Sequence, residues 1–149
     1  MILINPPVIK PCEAPAGIAK LAGALQRNHI PCSVLDANLE GLLSLLEGKP
    51  AQRDTWTKVA SRRLPGNLRL LTGREGYENF DRYKRAVMGV NRILEEAARS
   101  KGILLSLANY TDQKLSPLRS VDLTRAWENP EENLFYSYFS GRLPGLLEK

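Results

Sequence analysis

The chain has 149 residues, of which 43% are apolar, 25% charged and 7% aromatic, and it carries a net charge of +5. That is the length of one domain, which buries roughly 70% of its unfolded surface and so needs no metal or disulfide staple. No apolar run approaches the roughly 18 residues of a membrane span, no secretory leader pattern opens the chain, and the two cysteines, Cys12 and Cys32, are too few for a disulfide framework, so reduced thiols in a cytoplasmic setting are expected.

Ile2 to Asn5 read as a short apolar strand stopped by Pro6 and Pro7. Pro15 suits the first turn of a helix, where a missing N–H breaks no bond. Ile18, Leu21, Ala22 and Leu25 then recur as one apolar stripe, Asn28 is the expected left-handed terminator, and Pro31 forbids further helix. Cys32 to Ala37 read as a second strand. Strand, helix and strand in that order make a βαβ unit, so the strands should be parallel and the crossover right-handed. Asp36 or Asn38 can cap the next helix, whose stripe is Leu39, Leu42, Leu43 and Leu46 and whose end is Gly48.

The rhythm then breaks. Residues 50–77 contain Pro65, Gly66, Gly73 and Gly76 and read as an insertion with one short helix through Trp56, Val59, Ala60 and Leu64. A long helix is predicted over 78–100, where Phe80, Tyr83, Val87, Val90, Leu94 and Ala97 form a narrow seam of coiled-coil spacing. Gly102 closes it, and Ile103 to Ala108 are a third strand candidate. A helix opening at Ser116-Pro117 runs to Trp127, and a last one carries Leu134, Phe135, Tyr138 and Phe139 on one face. The sum is an α/β fold with a short parallel sheet of two or three strands and helices at the C-terminal end. So few strands leave apolar helical surface uncovered, and the expectation is an incomplete domain, extended by a longer chain or by a second copy.

Ligands of open α/β sheets bind beyond the carboxyl ends of the strands. That edge collects Asn5, Pro6 and Pro7 after the first strand, Pro15, Ala16 and Gly17 at the mouth of the first helix, and Asp36, Ala37 and Asn38 after the second strand. The helix mouth offers free N–H groups and partial positive charge. The prolines either hold a wide loop in shape above the sheet or simply stop the strand. Asp36 stands where a ribose-binding acid would stand, but the first glycine is Gly17, too late for a dinucleotide fingerprint, and Asp36 reads as a cap. His29, the single histidine, falls at the opposite edge, as a surface residue near a helix C-terminus. Cys12 lies in the proline loop without a partner histidine, and Cys32 reads as core. Asp112 and Asp122 stand apart and receive no catalytic role. Residues 51–85 hold nine basic and four acidic residues. This basic bias, which includes Arg62 and Arg63, reads as solvated surface, and nucleic acid is not the expected partner.

The stretch ILINPPVIKPCEAPAGIAKLAGALQRNHIPCSVLDANLEGLL, residues 2–43, resembles the opening of the cobalamin-binding domain at the N-terminus of many radical S-adenosylmethionine enzymes. The resembling features are the strand ending in Asn5-Pro6-Pro7, the helix start Pro15-Ala16-Gly17, the small-residue helix with Leu21 and Leu25, and the strand ending in Asp36. Residues 106–123 look more loosely like a part of such proteins. The resemblance implies a Rossmann-like, flavodoxin-like domain. It implies cobalamin as cofactor, its corrin ring cradled on the edge formed by Asn5, Pro6, Pro7, Pro15, Ala16, Gly17, Asp36, Ala37 and Asn38. In that family S-adenosylmethionine and an iron–sulfur cluster belong to a following domain with three cysteines. This chain has no such motif and no Asp-x-His-x-x-G loop. It is therefore expected to be a fragment that is not catalytic alone, with the rest of its parent chain, or a second copy, as partner. The alternative is a non-catalytic helical interaction or dimerisation module on an α/β scaffold, using the long-helix seam and the C-terminal aromatics.

Overall fold

Strand β1 (Ile2–Asn5) ends at Pro6, which lacks a backbone donor, and pairs in parallel with β2 (Ser33–Asp36). Ile2 stands opposite Ser33 and Asn5 opposite Asp36. The computed structural model describes residues 1–7, 13, 15–48 and 54–147; Cys12 and most of the proline loop lie outside them. Helix α1 (Ala16–Arg27) connects the strands and packs on both of them through the half-buried Ile18 and Leu25 and the buried Ala22. Leu21, expected in that stripe, is 57% exposed.

The terminator of α1 also differs from expectation. Asn28 has φ −95°, and the left-handed residue is His29, at φ 55°. His29 N–H donates to the Gln26 carbonyl at 3.0 Å and Ile30 N–H to the Leu25 carbonyl at 2.9 Å. That pair of bonds is a Schellman closure with histidine where glycine is usual. Asn28 contributes through its side chain, whose Nδ2 donates to the Ala24 carbonyl at 2.8 Å.

Helix α2 (Ala37–Glu47) follows β2 without a break, and α3 (Thr55–Thr72) follows the cap Asp54. Residues 50–77 were expected to hold one short helix, yet α3 is 18 residues long and continues through Pro65. The proline faces solvent, while Leu64, Leu68 and Leu71 pack against the core. Burial of that face outweighs the lost backbone bond. A four-residue helix, α4 (Glu75–Glu78), turns the chain into α5 (Phe80–Arg99), and α3 packs along α5.

Helix α5 is the centre of the molecule. Val90 and Leu94 are fully buried, Ile93 nearly so, and Ala86, Gly89 and Ala98 are buried with them. The expected seam therefore holds only in its C-terminal half: Phe80 is 76% exposed, and Ile93, outside the seam, is core. At the crossing with α3, Gly89 sits so close that a Cβ would stand 2.6 Å from Asn67 Nδ2. A charged clamp joins the same two helices. Arg92 bridges Asp54, Glu95 and the buried Glu96, donates from Nε to Thr57 Oγ1 at 3.0 Å, and lies 5.1 Å above the Trp56 ring. Arg99 completes the shell of Glu96 at 2.8 Å. The Thr57 amide and the Arg92 guanidinium hold the Asp54 carboxyl below the usual carboxylate range.

Gly102, at φ 74°, ends the helical turn after α5 and leads into β3 (Ile103–Leu105). This third strand does not join the parallel sheet. It pairs antiparallel with β4 (Tyr110–Asp112), so the sheet begun by β1 has two strands among the described residues. The reason is local. Four residues separate β3 from β4, a hairpin length, and buried Ile103 and Leu105 seat the hairpin on α5. Helix α6 (Ser120–Glu128), a 3₁₀ turn (Pro130–Glu132) and α7 (Tyr136–Leu147) complete the chain. Leu134 and Phe135 enter the core beside Leu42 and Leu46 of α2, and Tyr138 Oη donates to Glu40 Oε2 at 3.4 Å. Trp127, by contrast, is 85% exposed.

Candidate functional site

The parallel register puts the carboxyl ends of β1 and β2 side by side. Asn5 Nδ2 donates to Asp36 Oδ1 at 2.9 Å, and the same oxygen accepts the Leu39 N–H at 3.1 Å. One carboxylate oxygen thus ties a strand end to a helix start, which is why Asp36, and not Asn38, caps α2. Asn38 and Ala37 are buried. Pro6 is exposed, and Pro7 and Pro15 are half-buried. Ala16 and Gly17 are exposed, and a Cβ on Gly17 would meet no described heavy atom within 4 Å.

The structure therefore brings Asn5 and Asp36 into direct contact, and Ala37 and Asn38, which follow in the first turn of α2, are buried. The first turn of α1 lies at the same edge, because the helix follows β1 and runs back along the sheet. His29 and the half-buried Cys32 lie at the other end of α1. Among the described residues no group of three or more His, Cys, Asp or Glu side chains is placed to hold a metal ion, and no helix is long and apolar enough to cross a membrane.

A concavity away from this edge was not anticipated. A cavity of about 630 Å³ opens between the β3–β4 hairpin and α6, within the size range of small-molecule sites. Ile103, Tyr110, Leu115, Leu123 and Ala126 give it an apolar wall. Its two aspartates serve the fold. Asp112 Oδ1 accepts the Lys114 and Leu115 amides at 2.8 and 3.0 Å. Asp122 accepts two bonds from Arg119, at 2.8 and 2.9 Å, and the Ser116 amide at 2.9 Å. The Arg119 guanidinium, then the Ser116 amide, pull the Asp122 carboxyl down to about 2. Burial, and then the charge of Asp112, push the Tyr110 phenol above its ordinary value. These residues carry no motif. The one local hint is the turn chemistry of Asp112 and Ser116.

Comparison of the chain with known protein families, with curated proteins and with solved structures found no match.

Proposed function

We propose that the chain forms part of a corrinoid-binding face and belongs to the N-terminal cobalamin domain of a radical S-adenosylmethionine enzyme. The observation that supports this most is the Asn5–Asp36 contact at the adjoining carboxyl ends of two parallel strands, 2.9 Å across. It joins two residues of the resembling stretch, Asn5 and Asp36, at the edge where α/β sheets take ligands. The chemistry present fits such a ring. An amide and a carboxylate at the strand ends suit the hydrogen-bonding amides on a corrin periphery, and Ala16 and Gly17 are exposed in the first turn of α1. A bound corrinoid supplies cobalt-centred chemistry. This chain's residues hold the ring edge and keep the strand ends in register. His29, beyond the C-terminal end of α1, is no candidate for a ligand on the cobalt at that edge. The residues that a dimerisation module would use are divided: Val90, Leu94, Phe135 and Tyr138 are buried within the chain, whereas Phe80, Trp127 and Tyr136 are exposed.

Titration with hydroxocobalamin, followed by visible absorbance, tests the reading. A saturable spectral shift is expected. Asp36→Ala should weaken binding about tenfold, equivalent to about 1.4 kcal/mol. Asp36→Asn preserves the helix cap and so separates loss of the carboxylate from loss of the fold. Absence of any shift at millimolar cofactor, in this chain and in a longer chain containing it, rejects the proposal.

A further inference from the structure

Helix α3 carries Lys58, Arg62, Arg63 and Arg69 and no acidic residue. All four are exposed, and none forms an ion pair with a described residue. Steps of four and seven residues put Lys58, Arg62 and Arg69 within about 40° of one another around the helix, in a line about 16 Å long. Like charges four residues apart cost helix stability. The acids beside the N-terminal end of the helix, Asp54, Glu95 and Glu96, are engaged by Arg92, and Glu78, beyond its C-terminal end, by Arg74. The stripe is thus a row of unneutralised cations with only the exposed Pro65 between Arg62 and Arg69 on that face.

At the far end of α3 the chain turns through α4 into α5. Tyr77 and Phe80 project there with 86% and 76% of their surface exposed. Tyr83 is partly screened: its ring lies 3.3 Å from where a Cβ on Gly76 would stand. Lys84, one turn after Phe80 on the same side of α5, is exposed and has no acidic partner among the described residues, while the exposed Glu78 and Asp81 adjoin the two aromatics in the chain. Read along the chain, these aromatics look too far from the basic residues to matter. The α3–α5 hairpin puts them at the end of the cationic line.

We infer that the α3–α5 hairpin is a docking surface for single-stranded nucleic acid, in which Lys58, Arg62 and Arg69 follow the phosphates and Tyr77 and Phe80 stack on unpaired bases. A phosphate chain answers a line of unpaired cations, and unpaired bases answer exposed rings that a duplex would leave without a partner. A lipid surface fits less well, because the basic face of α3 offers only Pro65 as apolar surface between the cations. The inference does not rest on the corrinoid proposal and is measured without that cofactor.

The test is fluorescence anisotropy with short labelled oligonucleotides, RNA in one arm and DNA in the other. Three phosphate contacts give a slope of log affinity against log salt of about −2, so raising salt about threefold should weaken binding about tenfold. Reversing the stripe with K58E/R62E/R69E should bring the slope towards zero. Y77A/F80A should lower affinity about fivefold or more per ring. Should the reversed stripe fail to fold, the neutral variant K58Q/R62Q/R69Q and the salt slope of the unaltered chain decide the same question. Binding to both RNA and DNA supports the shared chemistry, and preference for one supports it and names the source. No binding at low salt overturns the inference. So does unchanged affinity in Y77A/F80A, or equal binding to duplex or to vesicles of anionic lipid, since either leaves a bare polyanion or membrane face.

Discussion

Gly41→Ala should change sign with its neighbour. Gly41 lies in α2, one turn after the capped start at the candidate site, and the ring of Phe135 covers it. A Cβ there would stand 2.8 Å from Phe135 Cδ1 and 3.0 Å from Cε1, and the ring is itself 2% exposed with little room to retreat. Replacing glycine by alanine inside a helix gains about 1 kcal/mol. Overpacking a filled core costs about 1–3 kcal/mol. The net expectation is a loss of about 1 kcal/mol, which lowers the urea midpoint by about 0.5 M for a slope near 2 kcal/mol/M. In a Phe135→Leu background the obstructing ring edge is gone, and Gly41→Ala should then stabilise by up to about 1 kcal/mol. Urea unfolding of the four proteins by far-UV circular dichroism closes the cycle. Additivity within about 0.5 kcal/mol, or stabilisation by Gly41→Ala alone, would show that Phe135 does not rest on α2 and that the C-terminal segment docks elsewhere.

Two further outcomes are expected. Asp122 has its folded pKa lowered from 3.8 to about 2, so its contribution to stability is complete above the unfolded value and is lost as pH falls through about 2. Protection of the Ser116 amide, followed by hydrogen exchange, should fade across that window, and Asp122→Asn should remove the pH dependence; an unchanged profile in the variant refutes the assignment. Leu94→Ala should cost about 2–5 kcal/mol, since the side chain is fully buried, whereas Phe80→Ala should stay within about 0.5 kcal/mol. Equal losses in thermal unfolding would restore the seam expected from spacing alone.

The opening βαβ unit was readable because its signals are local: prolines stop β1, a two-turn apolar stripe makes α1, and Pro31 precedes β2. For the same reason Asn5 and Asp36 could be placed at one edge before their contact was seen. What could not be read depends on neighbours distant in sequence. Pro65-Gly66 look like a break, and only the face of α5 explains why α3 runs on. The seam of α5 was misplaced because Phe80, although correctly spaced, extends past the body that covers Val90 and Leu94. Ile103 was assigned its strand but not its partner, since nothing in an apolar run says which strand it will meet. The left-handed turn at His29 breaks a compositional habit, and the cavity beside α6 arises from turns that leave no periodic trace.

The β1–β2 ribbon has a practical consequence. Ile2 and Ile4 share one face and are 40% and 41% exposed, and no described strand pairs with either outer edge. Such a ribbon is a template for self-association in a concentrated sample, since any extended β-branched segment, including its own copy, can continue the ladder. Ile4→Lys would act as a gatekeeper there and should keep a concentrated sample clear of fibrous deposits.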